Sequence, residues 1–240
     1  MIDLAIVGYG KMGKMIESLA DPNKFHISGI YDVINPVETH LKDKADVAIE
    51  FSVPAEVLKN VEFLASRGIN VVCGTTGWYD KASEIEAIIK RYNTGFIYAS
   101  NFSVGVNLFF SIVKEASKVM NRFSGYNVSI TETHHTQKLD KPSGTAIRTA
   151  EYLIENLDNK KSFVSDNESP AADELNIVSR RIENIVGIHE VTFDSAADSI
   201  TLTHNAKSRR GFAEGALLAA EYIHNKKGFF KFEDVFSNIK

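Results

Sequence analysis

The stretch that decides the fold is Ile2-Asp3-Leu4-Ala5-Ile6-Val7-Gly8-Tyr9-Gly10-Lys11-Met12-Gly13. An apolar run reads as a strand, and three glycines follow it without a gap. Lys14 to Ala20 reads as a helix, broken by Asp21-Pro22-Asn23. His26 to Tyr31 is a second strand, and Asp32 ends it. Strand, glycine turn, helix, strand and acid in this order form a dinucleotide-binding fingerprint. Each glycine has its own physical reason. Gly8 permits the tight turn, Gly10 lets the backbone approach a pyrophosphate, and Gly13 lets the helix pack close to the strand. The helix start then offers unpaired N–H groups and a partial positive charge to phosphates. Asp32 lies where an acid accepts hydrogen bonds from ribose hydroxyls, which favours NAD over NADP. No arginine follows it, while Lys11 and Lys14 lie nearby to meet a phosphate. The competing reading is a plain glycine-rich turn with an ordinary acid at a strand end.

Outward from this unit the alternation continues. Ala45 to Ser52 is strand-like, Pro54 opens a helix over Glu56 to Arg67, and Gly68 closes it. Ile69 to Cys73 is a strand, Gly74 to Gly77 a turn, Lys81 to Tyr92 a helix and Gly95 to Ala99 a strand. Strands alternating with helices of this length predict a parallel sheet of the Rossmann type. After Asn101 the texture changes. A long helix over Ser103 to Asn121 precedes strands at Tyr126 to Thr131, Glu174 to Ile182, His189 to Phe193 and Ser199 to Thr203. A helix covers Thr145 to Asn156, and the polar stretch Asp158 to Asp173 reads as an exposed loop. Gly211 to Asn225 returns to helix. The expected fold class is therefore α/β, a Rossmann-type parallel-sheet domain plus a smaller α+β domain with a mixed open sheet. The expected boundaries are 1–102 with 208–240 for the dinucleotide-binding domain, and 103–207 for a substrate-binding and oligomerisation domain.

Composition narrows the class. The 240 residues include 44% apolar and 24% charged residues, ordinary globular usage. A net charge of −4 gives no global reason to expect nucleic acid or an anionic membrane as partner. The one cysteine, Cys73, sits in an apolar run and reads as a buried small hydrophobe. A chain without a disulfide framework is expected in the cytoplasm. The opening residues lack a basic segment before an apolar one and are not read as a signal peptide, and no stretch is long and apolar enough to predict a membrane helix.

The most unusual stretch is Thr131-Glu132-Thr133-His134-His135-Thr136-Gln137-Lys138-Leu139-Asp140-Lys141-Pro142-Ser143-Gly144-Thr145. Ser143 is placed to cap a helix whose first turn holds Gly144 and Thr145. Such a start binds carboxylates as readily as phosphates. The segment thus joins an anion cradle, the fixed cation Lys138 and two histidines that titrate near neutral pH. Adjacent histidines without further ligands at metal spacing argue against zinc, so no metal is expected. Ser143 lies in no nucleophile elbow. A solvated polar loop leading into a capped helix is the bland alternative.

Taken together, these blocks resemble the 4-hydroxy-tetrahydrodipicolinate reductase family, formerly dihydrodipicolinate reductase. The resemblance runs nearly end to end. It includes Gly8 to Gly13, Ile49-Glu50-Phe51-Ser52-Val53-Pro54, Cys73-Gly74-Thr75-Thr76-Gly77-Trp78 and Asn101-Phe102-Ser103-Val104-Gly105-Val106. It continues through His134-His135 with Lys138 and Asp140, Pro142 to Thr145, Ile185-Val186-Gly187-Ile188-His189, Arg209 with Phe212-Ala213, and Gly215-Ala216. Aspartate and homoserine dehydrogenases share the two-part layout but not the His-His-x-x-Lys-x-Asp-x-Pro-Ser-Gly-Thr block. The resemblance implies hydride transfer from NADH, NADPH or both to a small cyclic dicarboxylate in lysine and diaminopimelate biosynthesis, by a homotetramer. It implies that His134 is the proton donor and Lys138 the second catalytic residue, with His135, Ser143, Gly144 and Thr145 binding substrate. It assigns Gly8, Tyr9, Gly10, Lys11, Met12, Gly13, Asp32, Ser52, Gly74, Thr75, Thr76, Ala99, Ser100, Asn101, Phe102 and Arg209 to the cofactor. The chain departs from the family in its shorter glycine loop, the missing arginine after Asp32, Thr136-Gln137 in place of a more basic pair, and Lys141 in place of alanine.

Overall fold

β1 (Ile2–Val7) is buried along its last four residues, which explains its continuous apolar run. It is the hub of the first sheet. The computed structural model describes residues 1–41 and 44–236 and resolves into two units, 1–103 with 210–240, and 104–209.

In the first unit, β1 is joined by β2 (Phe25–Tyr31), β3 (Val47–Glu50), β4 (Asn70–Cys73), β5 (Gly95–Tyr98) and β11 (Gly228–Lys231) in the order β11-β5-β4-β3-β1-β2. Every pairing is parallel. Helices α1 (Lys11–Leu19), α2 (Val37–His40), α3 (Pro54–Ser66), α4 (Ala82–Tyr92) and α7 (Arg210–Ile223) complete the unit. The chain leaves β1 on one side for β2 and returns on the other for β3, so the strand order reverses at β1. Ligands of open α/β sheets bind at the carboxyl ends of the strands that flank such a point. Among the elements that escaped the sequence reading are the short α2 and the edge strand β11, where Phe229 stacks on Phe96 with ring centroids 5.1 Å apart. α1 also starts at Lys11 rather than Lys14, because the last three glycine-loop residues, Lys11, Met12 and Gly13, already form its first turn.

The carboxyl-terminal return is bolted to this sheet by Asn70, at the start of β4. Its amide donates to the Ile223, His224 and Lys226 carbonyls at 2.6, 3.0 and 3.2 Å, and its carbonyl accepts the Gly95 N–H at 2.7 Å. Gly215 of α7 permits the close approach: a Cβ there would lie 1.7 Å from the Phe102 carbonyl oxygen.

The second unit holds a five-stranded mixed sheet in the order β10-β9-β6-β8-β7. Its strands are β6 (Asn127–His134), β7 (Ser162–Ser165), β8 (Glu174–Arg181), β9 (Gly187–Asp194) and β10 (Ser199–Ala206). α5 (Val104–Met120) and α6 (Gly144–Asn156) cover one face, burying Val128, Ile130, Leu175, Ile177, Val191 and Phe193. The stretch expected to be an exposed loop, 158–173, contains β7, parallel to β8. Phe163 and Val164 carry its strand preference inside a polar sequence, and buried Lys160 pins the segment by donating to the Ala172 and Glu174 carbonyls at 3.0 and 2.9 Å. β6 also runs three residues past its expected end at Thr131, so His134 lies on a strand and not in the following loop.

Candidate active site

Parallel pairing sends every carboxyl end of the first sheet to one edge. Gly8, Asp32, Ser52, the 74–76 turn and the 99–102 segment therefore gather there from five separate strands. Gly8 has φ +94°, and a Cβ on it would lie 2.1 Å from the Phe51 carbonyl oxygen. A Cβ on Gly13 would lie 2.3 Å from the Gly8 oxygen, whereas one on Gly10 would meet nothing within 4 Å. The first and third glycines thus serve close backbone packing, and the second opens onto space. Gly10 also caps α1 without any side-chain hydrogen bond, so the first-turn N–H groups are not consumed by a cap. At the end of β4, the buried Thr75 hydroxyl has no hydrogen-bond partner among the described residues. A dinucleotide fits these features: the loop has room for a pyrophosphate, the helix start has donors, and a buried hydroxyl is left for a polar ligand group.

The acid and the serine are held firmly. Asp32 accepts the Ile34 and Asn35 N–H groups through Oδ1, both at 2.9 Å, which leaves Oδ2 out of that turn. Ser52 donates both its hydroxyl and its N–H to buried Glu50, which also accepts from Asn60. Phe102 is buried between Phe51 and Phe232, so its ring belongs to the core. Arg209 is exposed, one residue before α7.

In the second unit the histidine segment is built by strand alternation. Glu132 and His134 project to the helix-covered side at the end of β6. The register sets Arg181 of β8 opposite His134, and His189 of β9 opposite Glu132. Ser143 caps α6 through its hydroxyl, which accepts the Ala146 N–H at 3.2 Å. Its own N–H reaches both Glu132 carboxylate oxygens at 3.1 Å, and its hydroxyl lies 3.2 Å from His189 Nε2. The Arg181 guanidinium contacts Glu132 at 3.3 Å and bolts the intervening loop by donating to the Lys138 and Asp140 carbonyls at 3.3 and 2.6 Å. Lys138 pairs with the Asp140 carboxylate at 2.8 Å. His134, Lys138, Ser143, Gly144 and Thr145 therefore come together, with His135 beside them, its Nδ1 buried without a partner among the described residues.

Electrostatics follow from burial. Burial pushes the His134 imidazole below its usual pKa, Glu132 opposes the shift, and Lys138 and Arg181 add to it. His189 is pushed down to about 3, again by burial first. For Glu132 the desolvation is outweighed by the Ser143 donors and the histidine, so its carboxyl stays below the ordinary range. Glu132, His134 and His189 offer donor atoms within 4.8 Å of one another. The Glu132 carboxylate is already engaged by the Ser143 N–H and the Arg181 guanidinium. Glu132, Arg181 and His189 had no role in the sequence reading. The Glu-x-His spacing on a strand was the one available signal for Glu132. Arg181 and His189 depend on pairing across the sheet.

A parallel dinucleotide sheet joined to a mixed-sheet unit with this histidine-lysine cluster defines a two-unit, nicotinamide-dependent oxidoreductase. Residues 2–102 match the family described as dihydrodipicolinate reductase, N-terminus, and residues 105–236 match its C-terminus. A 4-hydroxy-tetrahydrodipicolinate reductase of Christiangramia forsetii is 42% identical over 99% of both chains. One from Methanococcoides burtonii is 34% identical over 94% of this chain and 95% of the relative. The dipicolinate-bound dihydrodipicolinate reductase of Paenisporosarcina sp. TG-14 shares the fold, with a TM-score of 0.80 at 23% identity over 98% of this chain and 99% of that one. The chain belongs to the dihydrodipicolinate reductase family.

Proposed function

We infer that the chain reduces 4-hydroxy-tetrahydrodipicolinate, a cyclic imine dicarboxylate, to tetrahydrodipicolinate, and that His134 donates the proton. The net reaction adds a hydride and a proton and releases water. The observation that carries this reading is the convergence of His134, the Lys138 ammonium and the α6 start in one unit. A dicarboxylate calls for a cation and oriented N–H donors, which Lys138 and the Ser143–Thr145 turn supply. Lys138 is engaged by Asp140, and an ion pair this near the surface is worth only ~0–1 kcal/mol, so a substrate carboxylate replaces it at little cost. A Cβ on Gly144 would meet nothing within 4 Å, which leaves substrate access to the helix start. His135 lies against the same segment. A positioned proton donor contributes roughly 10²–10⁴-fold in such a step.

A bound nicotinamide dinucleotide supplies the hydride. Gly8 to Gly13 receive its pyrophosphate, Asp32 its adenosine ribose, and Ser52, Gly74 to Thr76, Ala99 to Phe102 and Arg209 complete its site. The Asp32 carboxylate favours NADH, since a 2′-phosphate would meet a like charge. The assembly is a homotetramer. Its support is the helix-free face of the second sheet, where threonines such as Thr192 of β9 and Thr201 of the edge strand β10 suit a second copy. The buried thiol of Cys73 suits the cytoplasm, and no described helix is long and apolar enough to cross a membrane.

The test is direct. The purified protein receives the product of dihydrodipicolinate synthase, and absorbance loss of NADH and NADPH is followed. Oxidation of neither cofactor overturns the reading. His134→Gln is expected to lower kcat at least ~tenfold with a modest change in KM.

A further inference from the structure

We propose that Glu132 is a positioning residue which holds the proton of neutral His134 on Nδ1, so that Nε2 carries the transferable proton, and which anchors the α6 start through the same carboxylate. The proposal rests on the reading of His134 as donor. It goes beyond that reading in naming the group that sets the donor's tautomer.

The geometry has three parts. Glu132 is wholly buried and is the acid nearest the imidazole, with its Oε2 3.4 Å from His134 Nδ1. That Nδ1 is itself buried and has no hydrogen-bond partner among the described residues, so the carboxylate is the acceptor within reach. A histidine facing a carboxylate through one nitrogen keeps its hydrogen there, and the second nitrogen is left to titrate. On the other side of the ring Gly187 has no side chain to crowd Nε2, which a Cβ there would approach to 3.1 Å. Nδ1 is therefore the nitrogen that faces the carboxylate, and Nε2 the one that the glycine leaves uncrowded.

The remaining groups around the ring explain why a single anion matters. The His189 ring of β9 packs edge-on, with ring centroids 5.0 Å apart. Burial disfavours a protonated His134, and Lys138 from the loop and Arg181 from β8 act with burial. Only Glu132 and the more distant Asp140 favour it. Arg181 and the Ser143 N–H in turn keep Glu132 ionised and oriented. The same carboxylate thus fixes the donor's orientation, helps to keep it protonated, and holds the N-cap of the helix that receives the substrate anion.

The experiment combines nitrogen-15 NMR of the imidazoles with pH–rate profiles, the His134 signals being assigned by their loss in His134→Gln. In the wild type, neutral His134 is expected to carry its hydrogen on Nδ1. In Glu132→Gln the carboxamide oxygen stays with Ser143 and Arg181, its NH2 turns to His134, and the hydrogen moves to Nε2. The pH at which kcat/KM falls as His134 deprotonates is expected to drop by about one unit, with kcat at neutral pH falling ~tenfold and KM changing little. Glu132→Asp keeps the charge and is expected to restore most of the pH profile. A wild-type ring protonated on Nε2 overturns the proposal, even if Glu132→Gln fails to fold. So does a Glu132→Gln enzyme that is slower but keeps the wild-type pH profile. A fully active His134→Gln instead removes the donor reading and leaves the tautomer result standing.

Discussion

Replacing Gly10 by alanine separates cofactor binding from folding. Gly10 has φ −80° and ψ −155°, a backbone that alanine adopts freely, and its added Cβ meets nothing within 4 Å. The apoprotein should therefore lose at most ~1 kcal/mol, the cost of a poorer N-cap. Gly13→Ala is different: its Cβ would sit 2.3 Å from the Gly8 oxygen, about 1 Å inside normal contact, and overpacking of that kind costs ~1–3 kcal/mol. In Gly10→Ala the methyl occupies the space through which a pyrophosphate approaches the helix start. Loss of one charge-assisted hydrogen bond costs ~1.5–3 kcal/mol, or roughly 10- to 150-fold in affinity. Calorimetric unfolding of the apoproteins and fluorescence titration with NADH and NADPH measure the two effects separately. The reasoning is refuted if Gly10→Ala binds both dinucleotides with wild-type affinity, or if it unfolds as readily as Gly13→Ala.

Asp32→Ser removes the charge proposed to meet the ribose, and the ratio of kcat/KM for NADH to that for NADPH should fall; an unchanged ratio shows that Asp32 does not read the ribose. His189 has its folded pKa depressed to about 3 from 6.5, so the unfolded chain takes up this proton first as the pH falls. Stability should decline from about pH 6.5 toward pH 3, with His189 contributing up to ~1.4 kcal/mol per pH unit, and His189→Asn should flatten that slope in denaturant titrations. Asn70→Ala strands the Gly95 N–H and leaves three carbonyls without their donor, so unfolding free energy should drop by ~3 kcal/mol. Asn70→Asp, which keeps the acceptor but turns a negative charge toward those carbonyls, should not rescue it.

Much of the first unit is legible because its signals are local. The run Ile2–Val7, the glycine loop and Asp32 adjoin in sequence, and parallel pairing then brings the later strand ends to the same edge. β11 was not legible, because Gly228–Lys231 is a short run whose strand state depends on docking against β5, far away in the chain. β7 was hidden for a similar reason. The histidine segment announced its chemistry through residue types, but not its geometry. That His134 belongs to β6, and that Glu132 stands beneath it, follows from pairing with β8 and β9. Arg181 and His189 became part of the site only through register, which composition and spacing do not reveal.

The discontinuity of the first unit also sets an order of events during synthesis. Its sheet is not finished until Arg210–Ile223 and β11 have been made, since Asn70 and Gly95 bind carbonyls and an edge that lie beyond residue 222. Between Ser103 and Arg210 the ribosome makes the whole second unit, 106 residues, which takes roughly 5–20 s. That second unit is continuous in sequence and is free to fold as it emerges. The first waits with an unpaired β5 edge and an uncovered apolar face, which makes the nascent chain most open to chaperones and to misassociation when it is nearly complete.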